Sequence, residues 1–71
     1  MKLLILGAAG GTGRQLVQQA IGQGHSVTAW THHTPQPPFP PSVELITADI
    51  HDPARLAATI ASQDAVIDTL G

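Results

Sequence analysis

Glycines at every third position, directly after a short apolar run, constrain this chain more than any other feature. Gly7, Gly10 and Gly13 stand in the segment Gly7-Ala8-Ala9-Gly10-Gly11-Thr12-Gly13. The run before it, Lys2–Leu6, is rich in Leu and Ile, and a continuous apolar run of that length suits a parallel strand buried on both faces. The residues after it read as a helix over about 11–23. Gly13, Leu16, Val17, Ala20 and Ile21 recur at i, i+3, i+4, i+7 and i+8 and make one stripe. Gly24 then supplies a left-handed stop. A strand that turns through glycine into a helix presents bare backbone amides, and aligned peptide dipoles place about half a positive charge there. Gly7 is expected to permit the tight turn, Gly10 to let an anion come close, and Gly13 to let the helix pack against the first strand.

The remaining elements follow from local signals. Ser26–Thr31 reads as a strand, with β-branched Val27, Thr28 and Thr31. Between 35 and 41 stand Pro35, Pro37, Pro38, Pro40 and Pro41, which remove backbone donors and exclude a helix. That stretch is read as a stiff surface connection between strands rather than as a ligand for Pro-binding modules. Residues 43–47 form a third strand. Asp52 followed by Pro53 marks a helix start, a carboxylate cap with proline at the first helical position. Residues 64–70 form a fourth strand. The order β-α-β-β-α-β with right-handed crossovers predicts an α/β fold with a parallel four-stranded sheet in the order 3-2-1-4 and helices on both faces. The order reverses between strands 1 and 4, and ligands in such sheets bind at that switch point, outside the carboxyl ends of the strands.

Composition narrows the function classes. Hydrophobic residues make up 42% and charged residues 11% of 71 residues, with a formal charge of −2. Nothing here favours nucleic acid or a membrane surface as a partner. The chain holds no cysteine, so it has neither disulfides nor thiolate metal sites, in keeping with a cytoplasmic setting. The first apolar run is far shorter than a signal-peptide core or a membrane span. A His-His metal site at His32 and His33 lacks a third ligand, so no metal is expected.

Glycines in this spacing, after a strand, opening a helix and within a β-α-β unit of roughly 30 residues, are the context of a dinucleotide pyrophosphate site. A Walker A reading fails, because Gly13 is followed by Arg14 rather than by Lys-Ser or Lys-Thr. A ribose-binding carboxylate is expected about 20 residues after the loop, yet Thr31, His32 and His33 stand there. That leaves room for the 2′-phosphate of NADP, with Arg14 and His32 as sources of positive charge. Both NADP and NAD are retained, with NADP favoured.

With Gly24-His25-Ser26-Val27-Thr28, Ala48-Asp49-Ile50 and Asp64-Ala65-Val66-Ile67 added to the glycine segment, the chain resembles the NAD(P)-binding half of atypical short-chain dehydrogenase/reductases. Flavin reductase and biliverdin-IXβ reductase are the nearest types. The resemblance implies that residues 1–71 are the N-terminal part of a single, truncated Rossmann domain. It implies that Gly10, Thr12 and Gly13 contact the pyrophosphate, that Asp49 and Ile50 flank the adenine, and that Leu70 and Gly71 approach the nicotinamide side. Gly7, Ala9, Gly11, Arg14, Thr31 and His32 complete the expected cofactor-binding set. Two departures stand out: His32 where members commonly carry arginine, and Asp68 within a strand usually apolar. A carboxylate there needs a partner, solvent, or a strand end less buried than expected.

The chain has no tyrosine and a single lysine, Lys2, so a Tyr-x-x-x-Lys proton-transfer pair is absent from these residues and no catalytic residue is assigned. Three functions stay open. The chain is the cofactor half of a reductase acting on a flavin or similar small conjugated molecule, a dinucleotide-binding module or redox sensor without turnover, or a structural fragment without activity. Trp30 is read as core or sheet-face packing.

Overall fold

The structure is a computed structural model that describes residues 1–35, 38–48 and 51–69. Its elements are β1 (Lys2–Leu6), α1 (Gly11–Gly22), β2 (Ser26–Thr31), β3 (Glu44–Thr47), α2 (Pro53–Ala61) and β4 (Ala65–Asp68). All three strand pairings are parallel, and the sheet order is β3-β2-β1-β4, as the crossover rule requires. Central β1 pairs Leu4 with Thr28 on one side and with Val66 on the other. Its apolar residues are buried on both faces, with Leu4 and Ile5 fully enclosed.

Alternation along the strands sorts the core into two layers. Leu3, Ile5, Val27 and Ala29 face α1 and pack with Ala8, Val17 and Ala20. Leu4, Leu6 and Trp30 face the other way and meet Leu56 of α2 together with Ile46 and Ala48. Trp30 is 2% exposed, which makes it core, and its indole Nε1 has no hydrogen-bond partner among the described residues. The α1 layer is the better covered of the two. No residue of α2 is fully buried, and Ile60 and Val66 are each 40% exposed.

Local chemistry explains the helix ends. At the end of α1, Gly24 has φ +83, its amide donates to the Ile21 carbonyl, and the His25 amide donates to the Ala20 carbonyl. That pair of bonds is a Schellman stop, which needs a residue tolerant of left-handed φ. At the start of α2, the Asp52 carboxylate accepts from the Arg55 amide at 3.2 Å, and Pro53 stands at the first helical position.

Three expectations are revised. The Pro-rich connection is more than a surface link: Pro35 is buried, and half-buried Phe39 and buried Val43 pack on the α1 layer. It covers the sheet where a helix would otherwise be needed. Val43 precedes β3 rather than opening it, its amide closing a turn onto the Pro40 carbonyl. β4 is shorter than 64–70 and alternates between half-buried and exposed residues, because it is an edge strand; Leu70 lies outside the described residues. Asp68 is exposed at its end, which removes the desolvation problem of a carboxylate in a central strand.

Candidate functional site

The glycine loop leaves β1 at Gly7, whose φ of +74 lies in the left-handed region that glycine tolerates. The Gly7 and Ala8 amides both donate to the Trp30 carbonyl of β2, at 3.0 and 3.3 Å, and the Gly10 amide donates to the Gly7 carbonyl at 3.2 Å. These bonds consume the loop's early amides and fix its path. The amides at the first turn of α1 are different. Those of Gly11, Thr12 and Gly13 have no acceptor inside the helix by geometry. Gly10 gives the helix no side-chain cap, and no acidic residue stands in the first turn. Gly10, Gly11 and Thr12 are exposed, so this helix start faces outward, beyond the carboxyl end of β1.

The glycines divide into two kinds when each is given a Cβ. At Gly13 a Cβ would fall 2.5 Å from the Gly7 carbonyl oxygen and 2.7 Å from the Ala8 Cα. Gly13 is therefore required by packing, and it packs against the loop that follows β1 rather than against the strand itself. At Gly10 a Cβ would meet only the Gly7 oxygen at 3.6 Å, an ordinary contact, and at Gly11 it would meet nothing within 4 Å. The fold does not need glycine at 10 or 11. Their bareness leaves room outside the protein, which is what the pyrophosphate of a dinucleotide requires.

Arg14 lies just inside α1, half-buried, with its Nε donating to the Ala9 carbonyl at 3.2 Å and its guanidinium 5.0 Å from the centre of the Phe39 ring. At the end of β2, Thr31 is 1% exposed and its hydroxyl has no partner among the described residues. His32 and His33 beyond it are exposed and meet edge to face, with ring centres 4.5 Å apart. The structure thus brings Gly7, Ala9, Gly10, Gly11, Thr12, Gly13 and Arg14 into one loop-and-helix start, and the pairing of Gly7 with Trp30 ties that loop to the strand end bearing Thr31 and His32. Asp49, Ile50, Leu70 and Gly71 lie outside the described residues.

Two contributors were not evident from sequence. The Thr69 hydroxyl, just after β4, lies 2.6 Å from the Leu6 carbonyl oxygen and 3.0 Å from that of Gly7. It clasps the turn at the switch point from the far side. The available signal was a β-branched hydroxyl residue beside the expected strand end. The second is Phe39, the chain's single phenylalanine, set among prolines.

A cavity of about 210 Å³ opens at the opposite end of the sheet, beside Lys2, Thr28, Glu44, Ser62 and Gln63. Within it the Gln63 amide nitrogen donates to the Thr28 and Ser62 hydroxyls, Thr28 donates to the Glu44 carboxylate and Ser62 to the Thr59 carbonyl, while the Gln63 Oε1 has no partner among the described residues. Among the described residues, no group of three His, Cys, Asp or Glu is placed to hold a metal, and no helix is long and apolar enough to cross a membrane.

Comparisons with known proteins agree with this geometry. Photosystem II assembly factor Ycf39 of Synechocystis is 34% identical over 70 residues, which is 96% of this chain and 22% of that protein. The crystal structure of the oxidoreductase ylbE from Lactococcus lactis aligns with a TM-score of 0.82 at 25% identity, over 100% of this chain and 33% of that one. A Rossmann-fold NAD(P)-binding family protein from Shigella flexneri aligns with a TM-score of 0.78 at 28% identity, over 97% and 36%. The chain spans only 8% to 22% of the length of the curated relatives it matches. Residues 7–71 match the NAD(P)H-binding family from the first loop glycine onward. The chain belongs to that family and carries its dinucleotide-binding, Rossmann-like fold.

Proposed function

We propose that this chain is the cofactor-binding half of a cytoplasmic NAD(P)H-dependent reductase of the atypical short-chain dehydrogenase/reductase type, similar to flavin and biliverdin-IXβ reductases. The observation that carries the reading is the outward-facing start of α1, which has neither a side-chain cap nor an acidic residue. In this reading the amides of Gly11, Thr12 and Gly13 hold the pyrophosphate, with Gly10 leaving room for it and Gly7 and Ala9 shaping the turn. Arg14 and His32 meet the 2′-phosphate of NADP, the favoured cofactor, beside Thr31. Asp49 and Ile50 flank the adenine, and Leu70 and Gly71 border the nicotinamide side. When bound, the dinucleotide supplies a hydride. The substrate is a flavin or similar conjugated small molecule, held by residues outside these 71, and neither nucleic acid nor membrane is a partner.

A second reading draws on one specific likeness. The Synechocystis relative is named as an assembly factor, and this chain lacks the tyrosine that many reductases use. A dinucleotide-sensing module without turnover fits both facts. Oxidation of NADPH on addition of a flavin by the protein that carries this domain separates the two, since only the reductase consumes the nucleotide.

Titration with NADPH and NADH, read by nucleotide and Trp30 fluorescence, tests the binding itself. Saturable binding is expected. Gly10→Val is expected to weaken it at least about tenfold, with the melting temperature nearly unchanged, because the fold has space for a Cβ there. No saturable signal, or equal affinity in the variant, overturns the site.

A further inference from the structure

The contacts that hold Arg14 include two of different kinds. Its Nε bonds to the Ala9 carbonyl within the glycine loop, and its guanidinium lies over Phe39, a residue of the connection between β2 and β3. The arginine therefore bridges the pyrophosphate loop and the segment that follows β2, the two segments a phosphorylated adenosine ribose would adjoin. Contact through the ring face attracts a cation without using its N–H donors.

The platform itself is stiff. Phe39 stands between Pro38 and Pro40. Proline fixes its own φ, and the residue before a proline is confined to extended backbone. The ring is half-buried against the α1 core layer, so it is anchored from beneath. A long cationic side chain otherwise samples many rotamers, and a preset orientation lowers the entropy lost when an anion is bound.

We infer that Phe39 is a specificity-determining positioning residue: its ring seats the Arg14 guanidinium, and preference for a 2′-phosphorylated dinucleotide depends on that seat. The inference rests on the reading of Arg14 as the 2′-phosphate partner. The Pro-rich connection then has two tasks, covering the sheet and presenting the ring.

The test compares Phe39→Leu, Phe39→Tyr and Arg14→Gln in the full chain. Affinities for NADPH and NADH and melting temperatures are measured for each. Phe39→Leu keeps apolar bulk but loses the π face; NADPH affinity is expected to fall about fivefold with NADH affinity unchanged. Phe39→Tyr, which keeps the ring, is expected to retain the wild-type ratio. Arg14→Gln is expected to lower NADPH affinity at least as much as Phe39→Leu. If Arg14→Gln lowers the NADPH-to-NADH ratio and Phe39→Leu does not, Phe39 is core filler and the inference fails while the Arg14 reading stands. If Arg14→Gln leaves the ratio unchanged, the Arg14 reading fails and the inference with it. An equal loss for both nucleotides in Phe39→Leu also overturns it, since that is the mark of a purely structural role.

Discussion

The two helices of this chain begin in opposite ways. α2 opens with Asp52 at its cap and Pro53 at its first position, and the carboxylate satisfies the amide of Arg55 at the third. α1 opens with Gly10 at its cap, then Gly11, Thr12 and Gly13, with no side-chain cap and no acidic residue in its first turn. The first-turn amides of any helix lack an acceptor within it, although Pro53 removes one such donor from α2. One helix solves the problem internally and the other leaves it to be solved from outside. A helix that forgoes a cap gives up about 1 kcal/mol of local stability relative to a good capping residue, and only a few tenths when the residue is glycine. The open start is thus maintained at small cost, with the Schellman stop at Gly24 and the buried stripe of Gly13, Val17 and Ala20 holding the rest of α1.

Substitutions that give one helix start the character of the other test this contrast. The largest effect is expected from Gly13→Ala. It places an ordinary side chain at the third position of α1, where α2 carries arginine. The Cβ collides with backbone at Gly7 and Ala8, and a loss of about 3 kcal/mol in unfolding free energy is expected. Chemical denaturation monitored by circular dichroism measures it, and an unchanged midpoint would mean that the loop relaxes around the methyl group. Next comes Gly10→Asp, which gives α1 the cap of α2. The backbone at Gly10, φ −73 and ψ 167, suits a capping residue. Stability is expected to hold or rise by a few tenths of a kcal/mol. Dinucleotide affinity should fall about a hundredfold, about 2.7 kcal/mol, as a carboxylate takes the anion's place. A variant that is stabilised yet binds normally would show that the α1 start is not the pyrophosphate site. The smallest effect belongs to Asp52→Ala, which opens α2. It should cost about 1 kcal/mol in thermal unfolding and leave nucleotide affinity alone. Weakened affinity would show that the two helix starts are coupled.

The parts of this architecture written in neighbouring residues were legible before any coordinates. The glycine turn, the Asp52–Pro53 start, the Gly24 stop and the sheet order all follow from short-range patterns plus the handedness of crossovers. What escaped were contacts between residues far apart in sequence. Phe39 reads as one apolar residue in a proline-rich link until Arg14 lies over it. Thr69 reads as strand terminus until its hydroxyl is found on the Leu6 and Gly7 carbonyls. Asp68 looked like a liability because the fourth strand was expected to run on to residue 70 and to be apolar; the strand ends at Asp68, and its edge position exposes every second residue. Val43 has the β-branched character of a strand residue, yet a turn onto Pro40 sets it just before β3. In each case the side chain's environment was created by a partner that sequence order does not place beside it.

The Thr69 clasp gives the molecule an order of events. The turn it fastens is synthesised well before it, and its hydroxyl arrives more than sixty residues later, across sequence separations of 62 and 63. Closing a loop of that length is among the slower steps available to a small domain. Until β4 docks beside β1, β2 is the one neighbouring strand that holds the glycine turn, through the Trp30 carbonyl. A nascent or partly unfolded chain therefore carries the glycine turn without its final fastening, which arrives only when the far edge of the sheet has closed.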